Sequence, residues 1–189
     1  RQATWTQNHA KGTDTLYLDG GLAFGSGSHP TTRMCLEWIA SLGAEGKRAL
    51  DFGCGSGILA IAFWKMGAGP ITAVDIDPQA LFATRENALY NGVPDAALQT
   101  CAPEGFELQS HRYEIVIANI LANPLIELSP VLRGALAPGG VLSLTGILEE
   151  QWKDVAAAYP DVPLNVADRA VGDGSVWVRL EGVSRATTE

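Results

Sequence analysis

The run Asp51-Phe52-Gly53-Cys54-Gly55-Ser56-Gly57 constrains this chain more than any other stretch. It sets an acid and then a glycine at every second position between an apolar strand and an amphipathic helix. Ala49-Leu50 leads into it, and downstream Leu59, Ala62, Phe63 and Met66 recur at i, i+3, i+4 and i+7. That spacing makes one buried helical face, which Gly67 can end. The glycines therefore occupy a strand-to-helix turn. Glycine there tolerates positive φ and lets a ligand approach the backbone, and the N–H groups of the helix start are expected to face the ligand. Such a turn reads as a nucleotide-type cofactor loop.

The spacing then selects the cofactor. A dinucleotide fingerprint wants G-x-G-x-x-G/A, but counting from Gly53 gives Gly55 and then Ile58, too bulky for the close helix contact the third glycine serves. Asp51 would also lie close to a pyrophosphate, whereas it suits a cationic amine. S-adenosylmethionine carries such an amine and a ribose that needs an acidic partner. Asp75 closes the apolar strand Ile71-Thr72-Ala73-Val74, about 20 residues beyond the glycines, where an acid can accept hydrogen bonds from a ribose diol. Strand-end acids also serve as plain helix caps, and a glycine loop alone says little. The combination points to S-adenosylmethionine.

Length and composition agree with one domain over residues 1–189, within the usual size of a single core. Residues 1–28 read as an N-terminal extension with a glycine-rich loop. The chain opens at Arg1, as a cut or processed piece would. Neither an 18-residue apolar run nor a secretory pattern occurs, so no membrane association is expected. Cys35, Cys54 and Cys101 are unevenly placed without a C-x-x-C, which reads as free thiols in a reducing cytoplasm, with no metal site. The net charge of -8 opposes phosphate-backbone binding and favours the approach of a basic protein substrate.

Strands and helices alternate along the remainder. Asp77-Pro78 starts a helix that Asn91-Gly92 stops. A short strand near Leu98 to Cys101 precedes a loop with Pro103 and Gly105. The strand Tyr113 to Asn119 is apolar enough for the interior of a parallel sheet. One helix is expected from Pro124 to Ala137, closed by Pro138-Gly139-Gly140, then a strand from Val141 to Thr145 and a helix from Glu149 to Tyr159. Leu164 to Ala167 and Val176 to Leu180 flank Gly172-Asp173-Gly174 as an antiparallel hairpin. The expected fold is α/β: five βα units and a terminal hairpin in one doubly wound, mainly parallel, Rossmann-like sheet.

Four segments then carry a resemblance. Gly21-Leu22-Ala23-Phe24-Gly25-Ser26-Gly27-Ser28-His29-Pro30-Thr31-Thr32, the run from Asp51 to Ala62, Asp75-Ile76-Asp77-Pro78-Gln79-Ala80 and Ala118-Asn119-Ile120-Leu121-Ala122 together resemble the PrmA family, the methyltransferases of ribosomal protein L11. The resemblance extends from about Trp5 to the terminal hairpin. It implies a class I methyltransferase fold with strand order 3-2-1-4-5-7-6, S-adenosylmethionine as donor, and lysine and N-terminal amines of a ribosomal protein as acceptors. It also implies cofactor contacts at Thr32, Gly53, Asp75 and Asn119, beside Asp51, Gly55 and Gly57 of the loop.

Each position has a physical rationale beside its plain alternative. A hydroxyl at Thr32 can reach a cofactor carboxylate, or simply belong to a helix start. Asn119 ends a strand on the carboxyl edge where open α/β sheets bind ligands, or is a turn residue. With the Ile120 carbonyl, the Asn119 side-chain oxygen is the candidate for orienting the acceptor amine, in a reaction driven by positioning and desolvation. His29 is a secondary candidate for assisting proton loss, against a simple His-Pro turn. The Gly20 to Ser28 loop is a candidate lid.

The chain departs from the family in three places. The N-terminal domain that grips the ribosomal protein is not seen before Arg1. Ser26 and Ser28 replace the usual threonines, and Gly20 the usual proline. Cys101-Ala102-Pro103 offers no acid to the adenine amine, so that contact stays unassigned. Two other functions remain open at this stage: a methyltransferase for another protein, a nucleic acid or a small molecule, and a cofactor-binding module without chemistry. Against the nucleic-acid option, Asn119-Ile120-Leu121-Ala122 lacks the prolines and aromatic of N-P-P-Y sites, which stack a flipped base.

Overall fold

The computed structural model describes residues 2–9, 12–18, 28–106 and 112–185. Its sheet contains, in chain order, β3 (Ala49–Phe52), β4 (Ile71–Val74), β5 (Leu98–Cys101), β6 (Tyr113–Asn119), β7 (Leu136–Leu148), β8 (Asn165–Gly172) and β9 (Ser175–Val183). The spatial order β5-β4-β3-β6-β7-β9-β8 is 3-2-1-4-5-7-6 when the strands are counted from β3. β3, β4, β5, β6 and β7 run parallel, and β9 is antiparallel to both neighbours. This is the doubly wound, mainly parallel sheet with a terminal hairpin that the sequence implies.

Alternation along the buried strands divides the core. Ala49, Ile71, Ala73, Ile115 and Ile117 face α1 (Pro30–Ser41), α2 (Ile58–Lys65) and α3 (Pro78–Tyr90). Leu50, Phe52, Val116, Ala118, Leu142 and Leu144 face α4 (Ala122–Glu127), α5 (Ser129–Ala135) and α6 (Trp152–Ala157). β3 lies where the chain turns from one side of the sheet to the other. The crevice beyond its carboxyl end is the switch point at which open α/β sheets bind ligands.

Three local expectations change. The helix expected from Pro124 to Ala137 is two short helices, α4 and α5, because Pro130 has no N–H to carry a continuous ladder through. Pro138-Gly139-Gly140 lies inside β7 as a bulge, with pairing jumping from Tyr113↔Leu136 to Ile115↔Val141. The first turn of the expected Glu149 helix is a 3-10 turn. After β5 the expected loop with Pro103 and Gly105 contains a 3-10 turn at Pro103–Gly105.

The N-terminal extension also contains structure that the sequence reading passed over. β1 (Gln2–His9) and β2 (Gly12–Leu18) pair antiparallel as a separate two-stranded sheet. Leu16 and Leu18, two apart on one strand face, are buried in the core. The Tyr17 N–H and carbonyl bond the Asn91 side chain at the end of α3, at 3.0 and 2.7 Å. The glycine-rich loop from Gly20 to Gly27 lies outside the described residues.

At the α4–α5 break, the Tyr159 hydroxyl donates to the Leu125 carbonyl at 2.6 Å, and both residues are fully buried. Tyr159→Phe leaves that carbonyl short of a partner and should cost about 1–3 kcal/mol, read as a lower midpoint in denaturant unfolding with an unchanged slope.

Candidate functional site at the carboxyl edge of the sheet

Parallel pairing sets the site residues flush. Phe52 pairs with Val74 on one side and with Ala118 on the other. The next residue on each chain is Gly53, Asp75 and Asn119, so these end three adjacent strands on one line. Neighbouring strands are about 4.8 Å apart, so Asp75 and Asn119 stand roughly 10 Å apart across Gly53. Asn119 itself pairs with Thr145 of β7.

Asp51 lies two residues below this line on β3 and is fully buried. Its Oδ2 accepts from the Ala60 N–H at 3.1 Å, in the first turn of α2. Gly57, the residue capping that helix, has φ +79° and no side chain to offer, so a strand carboxylate does the capping. Asp51 Oδ1 is buried without a partner among the described residues. Burial pushes this carboxyl from its ordinary 3.8 up to about 7, against the Ala60 hydrogen bond, which lowers it.

The glycine loop turns out to be fastened from within. The Gly53 and Cys54 N–H groups donate to the Val74 carbonyl, and the Gly57 N–H to the Cys54 carbonyl. The Gly55 N–H donates to Asp75 Oδ2 at 2.9 Å, while Asp75 Oδ1 accepts from the Asp77 N–H at 3.0 Å. From α3, Thr84 donates to the Gly55 carbonyl at 3.1 Å and Asn87 to the Ser56 carbonyl at 2.9 Å. The N–H groups of Gly53, Cys54, Gly55 and Gly57 are thus already used inside the protein, and of the donors at the start of α2 that of Ala60 is bonded to Asp51. A turn with such commitments offers little to a pyrophosphate and presents carboxylates instead. A Cβ at Gly57 would come within 2.8 Å of Thr84, and one at Gly53 would overlap the Ile120 side chain.

On the other side of the crevice, Thr32 and Asn119 meet. Asn119 Nδ2 donates to Thr32 Oγ1 at 3.4 Å, which leaves Oδ1 as the acceptor that Asn119 offers. His29 caps α1: the Thr31 N–H donates to its Nδ1 at 3.3 Å. Its ring lies edge-on to Trp177 at 5.0 Å, with Nε2 3.9 Å from Asp173. The structure therefore gives His29 the cap and turn role. A cavity of about 260 Å³ opens beside Ile120, lined by Leu121, Pro124, Gly146, Leu148 and Trp177 among others.

Three features of this site escaped the sequence reading. Thr84 and Asn87 are polar at i and i+3 on the buried face of α3, a signal visible in the helix pattern. Ile76, directly after Asp75, is 82% exposed, an apolar surface beside the acid. Trp177 and Gly146 reach the crevice only through the antiparallel β9 and the irregular end of β7.

The sequence profile described as "Ribosomal protein L11 methyltransferase (PrmA)" matches residues 2–185. The chain belongs to this family. The ribosomal protein L11 methyltransferase of Chromohalobacter salexigens is 49% identical over 183 residues, 97% of this chain and 60% of that protein. That of Vibrio cholerae serotype O1 (strain M66-2) is 49% identical over 170 residues, 88% of this chain and 55% of that protein. The chain thus spans about 60% or less of the curated relatives it matches. The ribosomal protein L11 methylase of Lactobacillus delbrueckii subsp. bulgaricus superposes with a TM-score of 0.76 at 32% identity, covering 95% of this chain and 90% of that one. An O-methyltransferase from Bacillus cereus, solved in complex with SAH, shares the fold at a TM-score of 0.66 and 12% identity. The strand order of this PrmA-family chain is accordingly that of the class I methyltransferases. Among the described residues, no helix is long and apolar enough to cross a membrane.

Because the unfolded Asp51 carboxyl ionises near 3.8 and the folded one near 7, the folded state holds the extra proton between those values. Stability contributed by this residue therefore falls as pH rises from about 4 to about 7 and levels off above. Asp51→Asn should remove that part of the slope, measured as the denaturant midpoint from pH 4 to pH 8.

Proposed function

We propose that this chain is the methyl-transferring part of an S-adenosylmethionine-dependent protein methyltransferase that modifies lysine and N-terminal amines of ribosomal protein L11. The observation that carries this reading is the flush line Asp75, Gly53 and Asn119 across the switch point. It offers an acid for a ribose at one end and an amide for an amine at the other, on rigid strand ends. Membership of the PrmA family supports the same substrate.

The residues fit the cofactor in kind. Asp51 Oδ1, buried without a partner among the described residues, is an unmet acceptor suited to an ammonium group. Asp75, held by two backbone N–H groups, keeps further lone pairs for the ribose hydroxyls. Gly55 and Gly57 shape the loop between these acids, and Gly53 carries the backbone past the methionine portion. Thr32, whose hydroxyl oxygen accepts from Asn119, keeps its own O–H to donate to the cofactor carboxylate. Ile76 offers its exposed side chain to the adenine face.

When bound, the cofactor supplies an electrophilic methyl on a sulfonium, whose C–S bond breaks as the N–C bond forms. The chain's task is to hold the acceptor in line. Asn119 Oδ1 and the Ile120 carbonyl accept from the amine N–H groups, which aims the nitrogen lone pair at the carbon. A lysine amine has an unperturbed pKa of about 10.4, so it enters after losing a proton to water, and the apolar cavity wall keeps it neutral. Leu121, Leu148 and Trp177 suit the alkyl stem of a lysine. The net charge of -8 favours the approach of a basic protein over that of nucleic acid. The three thiols, none in a disulfide, agree with a cytoplasmic setting.

S-adenosylhomocysteine should raise the melting temperature of the chain and NAD should leave it unchanged, since the loop N–H groups and Asp51 disfavour a pyrophosphate. A shift with NAD alone would overturn the cofactor assignment. Labelled methyl transfer to purified L11, with mass spectrometry locating the product, tests the activity itself. In that assay Asn119→Ala should lose at least about 100-fold in turnover and far less in S-adenosylhomocysteine affinity. Equal losses in both would deny Asn119 its orienting role.

A further inference from the structure

We propose that Gly146 is a positioning residue for the acceptor amine, because its missing Cβ lets the Ile120 carbonyl lie directly on β7 while Gly53 grips the same residue from the cofactor turn. This rests on the methyl-transfer reading above, in which the Ile120 carbonyl accepts from the amine.

Gly146 is buried at φ +84°, where the pairing of β7 with β9 shifts register between Leu144 and Ile147. A Cβ built there would come 2.7 Å from the Ile120 carbonyl carbon and would overlap its oxygen. Both atoms belong to backbone, so the conflict cannot be relieved by turning a side chain. Gly53, at φ +83°, faces Ile120 from the opposite direction, and a Cβ there would overlap Ile120 Cγ2. Asn119 and Thr145 form the last regular rung between β6 and β7, and Ile120 and Gly146 are the residues directly after it.

Ile120 is therefore wedged between two glycines that cannot carry a side chain. One belongs to the cofactor turn, and the other lines the cavity beside the site. The β-branch of isoleucine stiffens χ1, so contact at Cγ2 fixes the residue's backbone as well as its side chain. The direction of the Ile120 carbonyl is set by the distance between β3 and β7, two strands apart in the sheet. This couples the place where the donor is held to the place where the amine is aimed. In-line transfer is sensitive to displacements of about 1 Å, so a rigid wedge matters more here than an extra hydrogen bond.

The test compares wild type, Gly146→Ala, Ile120→Val and Ile120→Leu. Valine keeps the Cγ2 that meets Gly53, whereas leucine moves its branch one carbon outward. Measured are single-turnover methylation of L11, S-adenosylhomocysteine affinity by calorimetry, and the ¹³C shift of the Ile120 carbonyl. Gly146→Ala should slow transfer by roughly 10- to 100-fold with cofactor affinity within about twofold of wild type. Ile120→Leu should be slowed about 10-fold more than Ile120→Val. The proposal is overturned if Gly146→Ala transfers at the wild-type rate, if rate and cofactor affinity fall together, or if the leucine and valine variants match. Should Gly146→Ala fail to fold, the Ile120 pair decides. If wild type binds S-adenosylhomocysteine but leaves L11 unlabelled, the substrate reading fails instead. The carbonyl resonance, taken as its displacement from the unfolded-chain value of the same residue type, then decides the wedge: that displacement changes in Ile120→Leu and holds in Ile120→Val, and equal displacements would sink it.

Discussion

A single buried carboxylate organises the first βα unit. Asp51 leaves β3 beneath the glycine turn and accepts the Ala60 N–H, closing the start of α2 from outside the helix. Helix starts leave several N–H groups without partners, and here one of them is met by the preceding strand. The consequence is mutual. Strand and helix are tied across the turn, the turn can consist of glycines with positive φ, and a charge-bearing group is held in a dry place at the base of the crevice. Burial raises the pKa of Asp51, because the charged carboxylate is disfavoured in that dry place. Such a cost is common where a structure keeps a polar group ready for a ligand.

The crevice itself follows from sheet registration. Parallel pairing of β4, β3 and β6 in step places Asp75, Gly53 and Asn119 on one line, and no loop has to bring them together. Loops are thereby relieved of precision. α3 contributes from behind, where Thr84 and Asn87 hold the loop carbonyls. The glycine loop therefore resembles a strapped buckle more than an open cradle of N–H groups. This explains in physical terms why a turn rich in glycine can favour a cationic, carboxylate-seeking portion of a ligand over a phosphate.

Legibility in the sequence tracked how local each cause is. Asp51, Gly53, Asp75 and Asn119 are visible because strand ends and glycine turns announce themselves over a few residues. The break at Pro130 is equally local, yet Leu125, Leu128, Leu132 and Ala135 recur at helical spacing across it and read as one helix. β1 and β2 were passed over although Leu16 and Leu18 alternate, because one short alternating run gives no hint of what it packs against. Trp177 and Gly146 gave no signal at all. Each lies on a strand whose local pattern is ordinary, and each matters only for what it touches.

The order of strands and helices in the sheet, the glycine turn, and the acids at two strand ends were determined by the sequence itself, through periodicity and the conformational range of glycine and proline. Family membership was legible there too, in the spacing of four segments. Only the tertiary structure decided that the loop N–H groups are consumed internally, that His29 caps a helix, and that Ile120 is wedged between Gly53 and Gly146. The reason is that periodicity reports the backbone path of one segment, whereas these features arise where segments far apart in the chain meet at van der Waals distance.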